Sequence, residues 1–184
     1  MVVDGATRCT SAADVAGLKS APPAPMFRKS DRTAHRRPPT MTDRTLNAVC
    51  AACGAVNRIP AERRDEAPHC GRCSEPLFPG RPVVLGAADW ERFTERNDLP
   101  VVVDFWATWC GPCRAMAPQF EQAARRLAGR VQFAKVDTDA EPQLAGRYGI
   151  RSIPTLVLIE HGREVKRAAG AMSATQLEQW LSQP

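Results

Sequence analysis

Six of the seven cysteines in the chain fall into three Cys-x-x-Cys pairs, Cys50/Cys53, Cys70/Cys73 and Cys110/Cys113, while Cys9 stands alone. That spacing suits metal binding or redox exchange better than a secreted disulfide framework. The first two pairs are separated by sixteen residues, a four-cysteine zinc spacing in which each knuckle offers two thiolates to one tetrahedral ion. Gly54 and Gly71 are expected to supply the backbone freedom of the two turns. The competing reading is two disulfides or two further redox pairs. His69 is a neighbour of such a site rather than a ligand, because four cysteines already complete the tetrahedron.

The third pair has a different setting. Val101 to Phe105 is a nearly continuous β-branched apolar run, as in a central strand covered on both faces. From Cys113 onward Met116, Phe120, Ala123 and Leu127 recur at helical spacing, with Pro118 inside the run and Gly129 ending it. Cys110 therefore sits where a buried strand gives way to a helix, whose unpaired N–H groups and dipole favour a thiolate. Cys113, one turn on and in line with Met116 and Phe120, faces the core. Cys110 reads as the nucleophile and Cys113 as the resolving thiol, with Pro112 in the first turn, where a missing N–H costs little. Taken alone, the pair is equally half of a metal site.

The elements around the pair follow from pattern. Val83 to Leu85 reads as an edge strand, Ala87 to Arg96 as a helix with Trp90 and Phe93 on one side, and Val131 to Val136 as a second central strand. Pro142 to Tyr148 is a short helix. Thr155 to Ile159 and Glu164 to Ala168 form a hairpin through His161-Gly162, and a capping box at Ser173 and Gln176 opens a last helix to Leu181. The expected fold class is α/β, a central mixed sheet flanked by helices and preceded by a small four-cysteine zinc module. Trp90 and Trp180 read as packing residues.

The segment Val101 to Cys113, with its Trp109-Cys110-Gly111-Pro112-Cys113, resembles the active site of thioredoxins, and Ser152-Ile153-Pro154-Thr155 resembles their substrate-binding loop. Together with the zinc spacing, the stretch from about Met41 resembles the zinc-containing second thioredoxins of bacteria. The resemblance implies a thiol-disulfide oxidoreductase acting on protein disulfides and regenerated by an NADPH-dependent thioredoxin reductase. It implies that Asp104 helps deprotonate Cys113, with Lys135 as an electrostatic modulator. An Asp in a buried strand is otherwise odd, since burial disfavours its charge. It also implies a cis bond before Pro154, against the trans prior of sequence alone. Trp109, Gly111, Pro112, Ile153, Pro154 and Gly170, with Ala171, would form the substrate-binding surface.

Composition narrows the partners. Residues 1–40 hold seven Lys or Arg against three Asp, and the remaining 144 residues hold 18 bases against 17 acids. A tetrathiolate zinc centre would make that remainder net negative, so no basic excess is left to drive nucleic-acid binding. No apolar run is long enough to cross a membrane. Residues 1–40, with five prolines and no periodicity, read as a disordered extension, and Met41 is an alternative start. The expected domains are 1–40, a zinc module with a Pro-rich linker at 41–81, and a redox domain at 82–184. The protein is expected to be a cytoplasmic monomer with one zinc ion and no bound organic cofactor, its zinc module responsive to oxidation.

Overall fold

The computed structural model describes residues 44–183. Cys9, the extension at residues 1–40 and the Met41 start lie outside the described residues.

The larger part is a five-stranded mixed sheet. Its strands are β3 (Val83–Val84), β4 (Val101–Trp106), β5 (Gln132–Asp137), β6 (Thr155–Glu160) and β7 (Arg163–Ala169), in the order β3-β5-β4-β6-β7. The β3, β5 and β4 neighbours are parallel; β4 with β6 and β6 with β7 are antiparallel. The continuous apolar run thus becomes the middle strand, buried on both faces as its composition requires. Helices α1 (Ala87–Glu95), α2 (Gly111–Arg126), α3 (Pro142–Arg147) and α4 (Ala174–Ser182) match the expected helices to within a few residues at their ends. The capping box of α4 is formed, with Ser173 Oγ accepting from the Gln176 N–H and the Gln176 side chain accepting from the Ser173 N–H.

Strand alternation divides the core. Val101, Val103 and Phe105 pack with Trp90, Phe93 and Leu144 from α1 and α3. Val102, Phe133 and Leu156 pack with Met116 and Phe120 of α2 and Leu177 of α4. Side chains two apart share a face, so Asp104 lies on the α2 side with Val102. Lys135, its cross-strand partner, lies on the same side with Phe133.

The smaller part contains two strands that periodicity did not announce. β1 (Thr45–Val49) and β2 (Val56–Pro60) pair antiparallel, with Val49 opposite Val56. The first cysteine knuckle is therefore the loop of this hairpin. Leu46, Ala48, Cys50, Ile59, Cys70 and Leu77 form a separate small core. Leu77, within the Pro-rich stretch read as linker, is buried there. The two parts touch closely. Val49 joins the α1-side core of the large sheet, and its N–H donates to Asn97 Oδ1 at 2.8 Å. Asn97 Nδ2 in turn donates to the Phe93 carbonyl at 2.8 Å, while the Asn47 N–H donates to Asp98 Oδ2 at 2.7 Å.

Candidate redox and metal sites

Cys110 is the N-cap of α2. Its backbone is still extended, its sulfur accepts from the Cys113 N–H at 3.2 Å, and Gly111 and Pro112 form the first helical turn. Ser, Thr, Asp or Asn usually hold this position; a cysteine there puts its sulfur where helix N–H groups point. Cys110 and Cys113 are joined as a disulfide, and both are buried, Cys113 the more deeply. Access is from the side of Trp109, whose ring is 68% exposed and whose Nε1 donates to Asp139 Oδ2 at 2.9 Å.

The loop before β6 meets this end of the sheet. The Ile153–Pro154 bond is cis, and the Ile153 carbonyl oxygen lies 3.7 Å from Cys110 Sγ. Gly170, with φ of 98°, donates its N–H to the Pro154 carbonyl at 2.9 Å, which ties the end of β7 to the same loop. Beside the disulfide a groove of about 360 Å³ runs between Trp109, Ile150, Arg151 and Ile153. The structure therefore gathers Cys110, Gly111, Pro112, Trp109, Ile153, Pro154 and Gly170 at one end of the sheet, although Gly170 lies 60 residues from Cys110 in sequence.

Asp104 is fully buried, and neither carboxylate oxygen has a hydrogen-bond partner in the protein. Burial pushes its pKa up to about 7, with the nearby Lys135 charge pulling the other way. Asp104 is not at a frayed strand end: it lies inside β4 and pairs on both sides, with Lys135 and Leu156. Lys135 Nζ rests 4.3 Å from the centre of the Trp106 ring, on the α2 face. A carboxyl that changes charge near neutrality, on the face where Cys113 is buried, is equipped to move a proton.

The four remaining described cysteines are free thiols whose sulfurs all lie within 4.8 Å of one another. The Cys50–Cys73 and Cys53–Cys70 sulfurs are 3.5 and 3.7 Å apart. Zinc–sulfur bonds of about 2.3 Å in a tetrahedron put sulfurs about 3.8 Å apart, so the donor set fits one zinc ion. The two knuckles repeat one backbone pattern. The Cys50 N–H donates to the Ala55 carbonyl and the Gly54 N–H to the Cys50 carbonyl; the Cys70 N–H donates to Glu75 and the Ser74 N–H to Cys70. The left-handed turn residues are Gly54, φ 67°, and Ser74, φ 62°. Ser74 thus takes the part that the sequence suggested for Gly71. Cys70 is held down to about 6 by the Arg72 and Cys73 N–H groups, whereas Cys73 is pushed up to about 12, the pull of the Glu75 N–H outweighed by the crowding of the other thiols and by desolvation. Four thiolates this close repel one another, and a divalent cation held between them relieves that repulsion. His69 is exposed and pairs through its backbone with Pro76, outside the cluster.

A thioredoxin fold with a Cys-x-x-Cys disulfide at the N-terminus of its long helix defines a thiol-disulfide oxidoreductase. Comparison with known proteins gives the same class. Residues 81–183 match the thioredoxin family, and residues 49–75 match the N-terminal domain described for thioredoxin 2. Thioredoxin C-3 of Corynebacterium nephridii is 47% identical over 135 residues, which cover 73% of this chain and 92% of that protein. Thioredoxin 1 of a Nostoc species is 49% identical over 85 residues, 46% of this chain and 79% of the relative. Among solved structures, a mutant thioredoxin from Halobacterium salinarum superposes with a TM-score of 0.51 at 34% identity, over 55% of this chain and 88% of the other. The chain belongs to the thioredoxin family, among the second bacterial thioredoxins that carry a zinc ribbon. It is a protein-disulfide reductase.

Among the described residues no helix is long and apolar enough to cross a membrane.

Proposed function

We propose that the chain reduces protein disulfides through Cys110 and Cys113. The observation that carries this reading is the position of Cys110 Sγ, fixed between the helix N–H of Cys113 and the carbonyl of Ile153, a residue that with Trp109 lines an open groove. In the reduced protein the Cys110 thiolate attacks one sulfur of an extended substrate disulfide, the other substrate sulfur leaves as a thiolate that takes up a proton, and a mixed disulfide remains. Asp104 accepts the proton of Cys113, and Lys135 steadies the charge that forms. The Cys113 thiolate then attacks Cys110 Sγ, breaking the mixed disulfide and releasing the second substrate thiol. Two electrons pass from the dithiol to the substrate, leaving the Cys110–Cys113 disulfide.

Trp109, Gly111, Pro112, Ile153, Pro154 and Gly170 form the docking surface, where an extended strand of substrate pairs with exposed backbone. Restoring the dithiol needs an electron donor, and membership of the thioredoxin family supports an NADPH-dependent thioredoxin reductase in that part. Cys50, Cys53, Cys70 and Cys73 hold one zinc ion, which supplies charge neutralisation and a fixed crossing point for the two knuckles. Oxidation of those ligands removes donors, so the module responds to oxidants. The protein works as a cytoplasmic monomer without nucleic acid, membrane or organic cofactor, with residues 41–81 as the zinc module and 82–184 as the reductase domain.

The test is insulin reduction with the full chain and two variants. Cys110→Ser should drop to the uncatalysed rate. Cys113→Ser should accumulate mixed disulfides that a reductant releases, because Cys110 attacks and nothing resolves the product. If Cys113→Ser turned over normally, or if only Cys113 could be trapped, the assigned roles would be wrong.

A further inference from the structure

Asn57 is a polar residue at an inward position of a short strand. In β2 it lies two residues before Ile59 and opposite Ala48, on the side that otherwise presents only apolar side chains to the small core. Asparagine is depleted in strands, and its amide is costly to bury without partners. Here both ends of the amide are used. Oδ1 accepts from the Gly71 N–H at 2.9 Å. Nδ2 lies 3.0 Å from the Ala55 carbonyl, 3.5 Å from the Ala48 carbonyl and 3.6 Å from Cys70 Sγ.

These contacts join the two knuckles. Ala55 closes the first through its bond from the Cys50 N–H, whereas Cys70 and Gly71 open the second. Among the described residues Asn57 is the only side chain, cysteines apart, within hydrogen-bonding distance of a knuckle sulfur. A second donor, the Arg72 N–H, approaches the same sulfur at 3.4 Å. A tetrathiolate centre carries net charge −2, and N–H donors that face its sulfurs both hold the ligands and offset that charge.

We propose that Asn57 is a positioning residue of the metal site, orienting the Cys70 thiolate and locking the second knuckle against the hairpin in the metal-loaded chain. The proposal rests on the reading that the four cysteines hold zinc. Asn57 touches no ion itself and acts through Cys70 and Gly71.

The experiment uses the full chain and two variants. Asn57→Ala removes every side-chain contact. Asn57→Asp keeps the shape and the acceptor for the Gly71 N–H but cannot donate to Cys70 Sγ. Zinc affinity is measured by competition with a chromophoric chelator, the thiolate-to-metal charge-transfer band is recorded with cobalt, and melting is followed with and without zinc. Loss of an outer hydrogen-bond partner typically lowers metal affinity about 10- to 100-fold. Both variants should fall in that range, with an altered cobalt band and a larger loss of stability in the zinc-loaded than in the zinc-free protein. A residue that merely ties the hairpin would lower both melting temperatures equally and leave affinity and band unchanged, and that result overturns the proposal. Should Asn57→Ala not fold, the wild-type chain loaded with cadmium-113 gives a direct reading. Scalar coupling between the metal and an Asn57 amide proton across Cys70 Sγ supports the role, and its absence overturns it. A wild-type chain that takes up none of these metals overturns the zinc reading and this role together, whereas tight binding by wild type and variants alike overturns only the role of Asn57.

Discussion

Residues 83–183 bury two apolar layers, one on each face of a five-stranded sheet, whereas residues 44–77 share six buried residues, two of them cysteines, beside a two-stranded hairpin. The first part has enough sheet and helix to stand on hydrophobic burial. The second does not: a lone hairpin is marginal in water, and so small a segment needs a metal or a larger neighbour. It has access to both. Its four sulfurs fit one zinc ion, and Val49, one residue before the first ligand, is inserted into the core of the large sheet. The redox pair, by contrast, is held by backbone geometry at the start of a long helix and needs no added group to stay in place. One part carries function on a self-sufficient scaffold, and the other leans on its larger neighbour and on a donor set that fits a metal.

Removing the metal should break this comparison most visibly. Structural zinc is worth on the order of 10 kcal/mol to small modules that fold around it. Chelation should therefore abolish amide protection at Cys50, Cys70 and Leu77, while the amides of β4 and β6 stay protected. Hydrogen exchange followed by NMR gives the answer, and persistent protection of the knuckles without metal would mean that docking on the large sheet suffices.

The larger part has its own weak point in Asp104. Its pKa is raised from the ordinary carboxylate value near 4 to about 7, so the folded state holds the proton more tightly than the unfolded state. The stability this provides is complete below about pH 4 and is lost as pH rises through 7. Three pKa units correspond to about 4 kcal/mol. Asp104→Asn should match wild type near pH 4 and exceed its unfolding free energy by up to about 4 kcal/mol at pH 8, while slowing the resolution of mixed disulfides. Urea unfolding at the two pH values measures the first effect; an equal difference at both would assign it to packing rather than to charge.

The junction is the next test. Asn97→Ala would leave the Val49 N–H and the Phe93 carbonyl without their side-chain partner in a buried setting. Unpaired buried groups of this kind cost about 1–3 kcal/mol. The variant should lose roughly 2 kcal/mol in urea unfolding of the zinc-loaded chain. A change confined to the zinc module would show that the parts fold independently.

Trp109→Ala should have the smallest effect on stability, within about 0.5 kcal/mol, because the ring is largely exposed. Its effect should appear instead as a several-fold higher KM for insulin with little change in kcat. Unchanged kinetics would remove Trp109 from the docking surface.

How much of this was legible beforehand differs between the parts for a physical reason. The Val101 run, the helical recurrence after Cys113, the His161-Gly162 hairpin and the Ser173 capping box are local patterns, and each became the expected element. The clustering of Cys50, Cys53, Cys70 and Cys73 was equally legible, because spacing within a knuckle is set by the turn itself. Strands β1 and β2 were not: they are five residues each, with irregular burial, and owe their pairing to the knuckle between them and the core below. Nor did local sequence distinguish Ser74 from Gly71 as the left-handed residue. The sequence determined which residues could do chemistry and which elements would carry them. Only the tertiary structure decided that Gly170 closes on Pro154, that Leu77 belongs to the zinc module's core, and that Asn57 and Asn97 bind across 14 and 48 residues to Gly71 and Val49. A polar side chain acquires its role from a partner brought to it by folding, and no periodicity in its own neighbourhood encodes that partner.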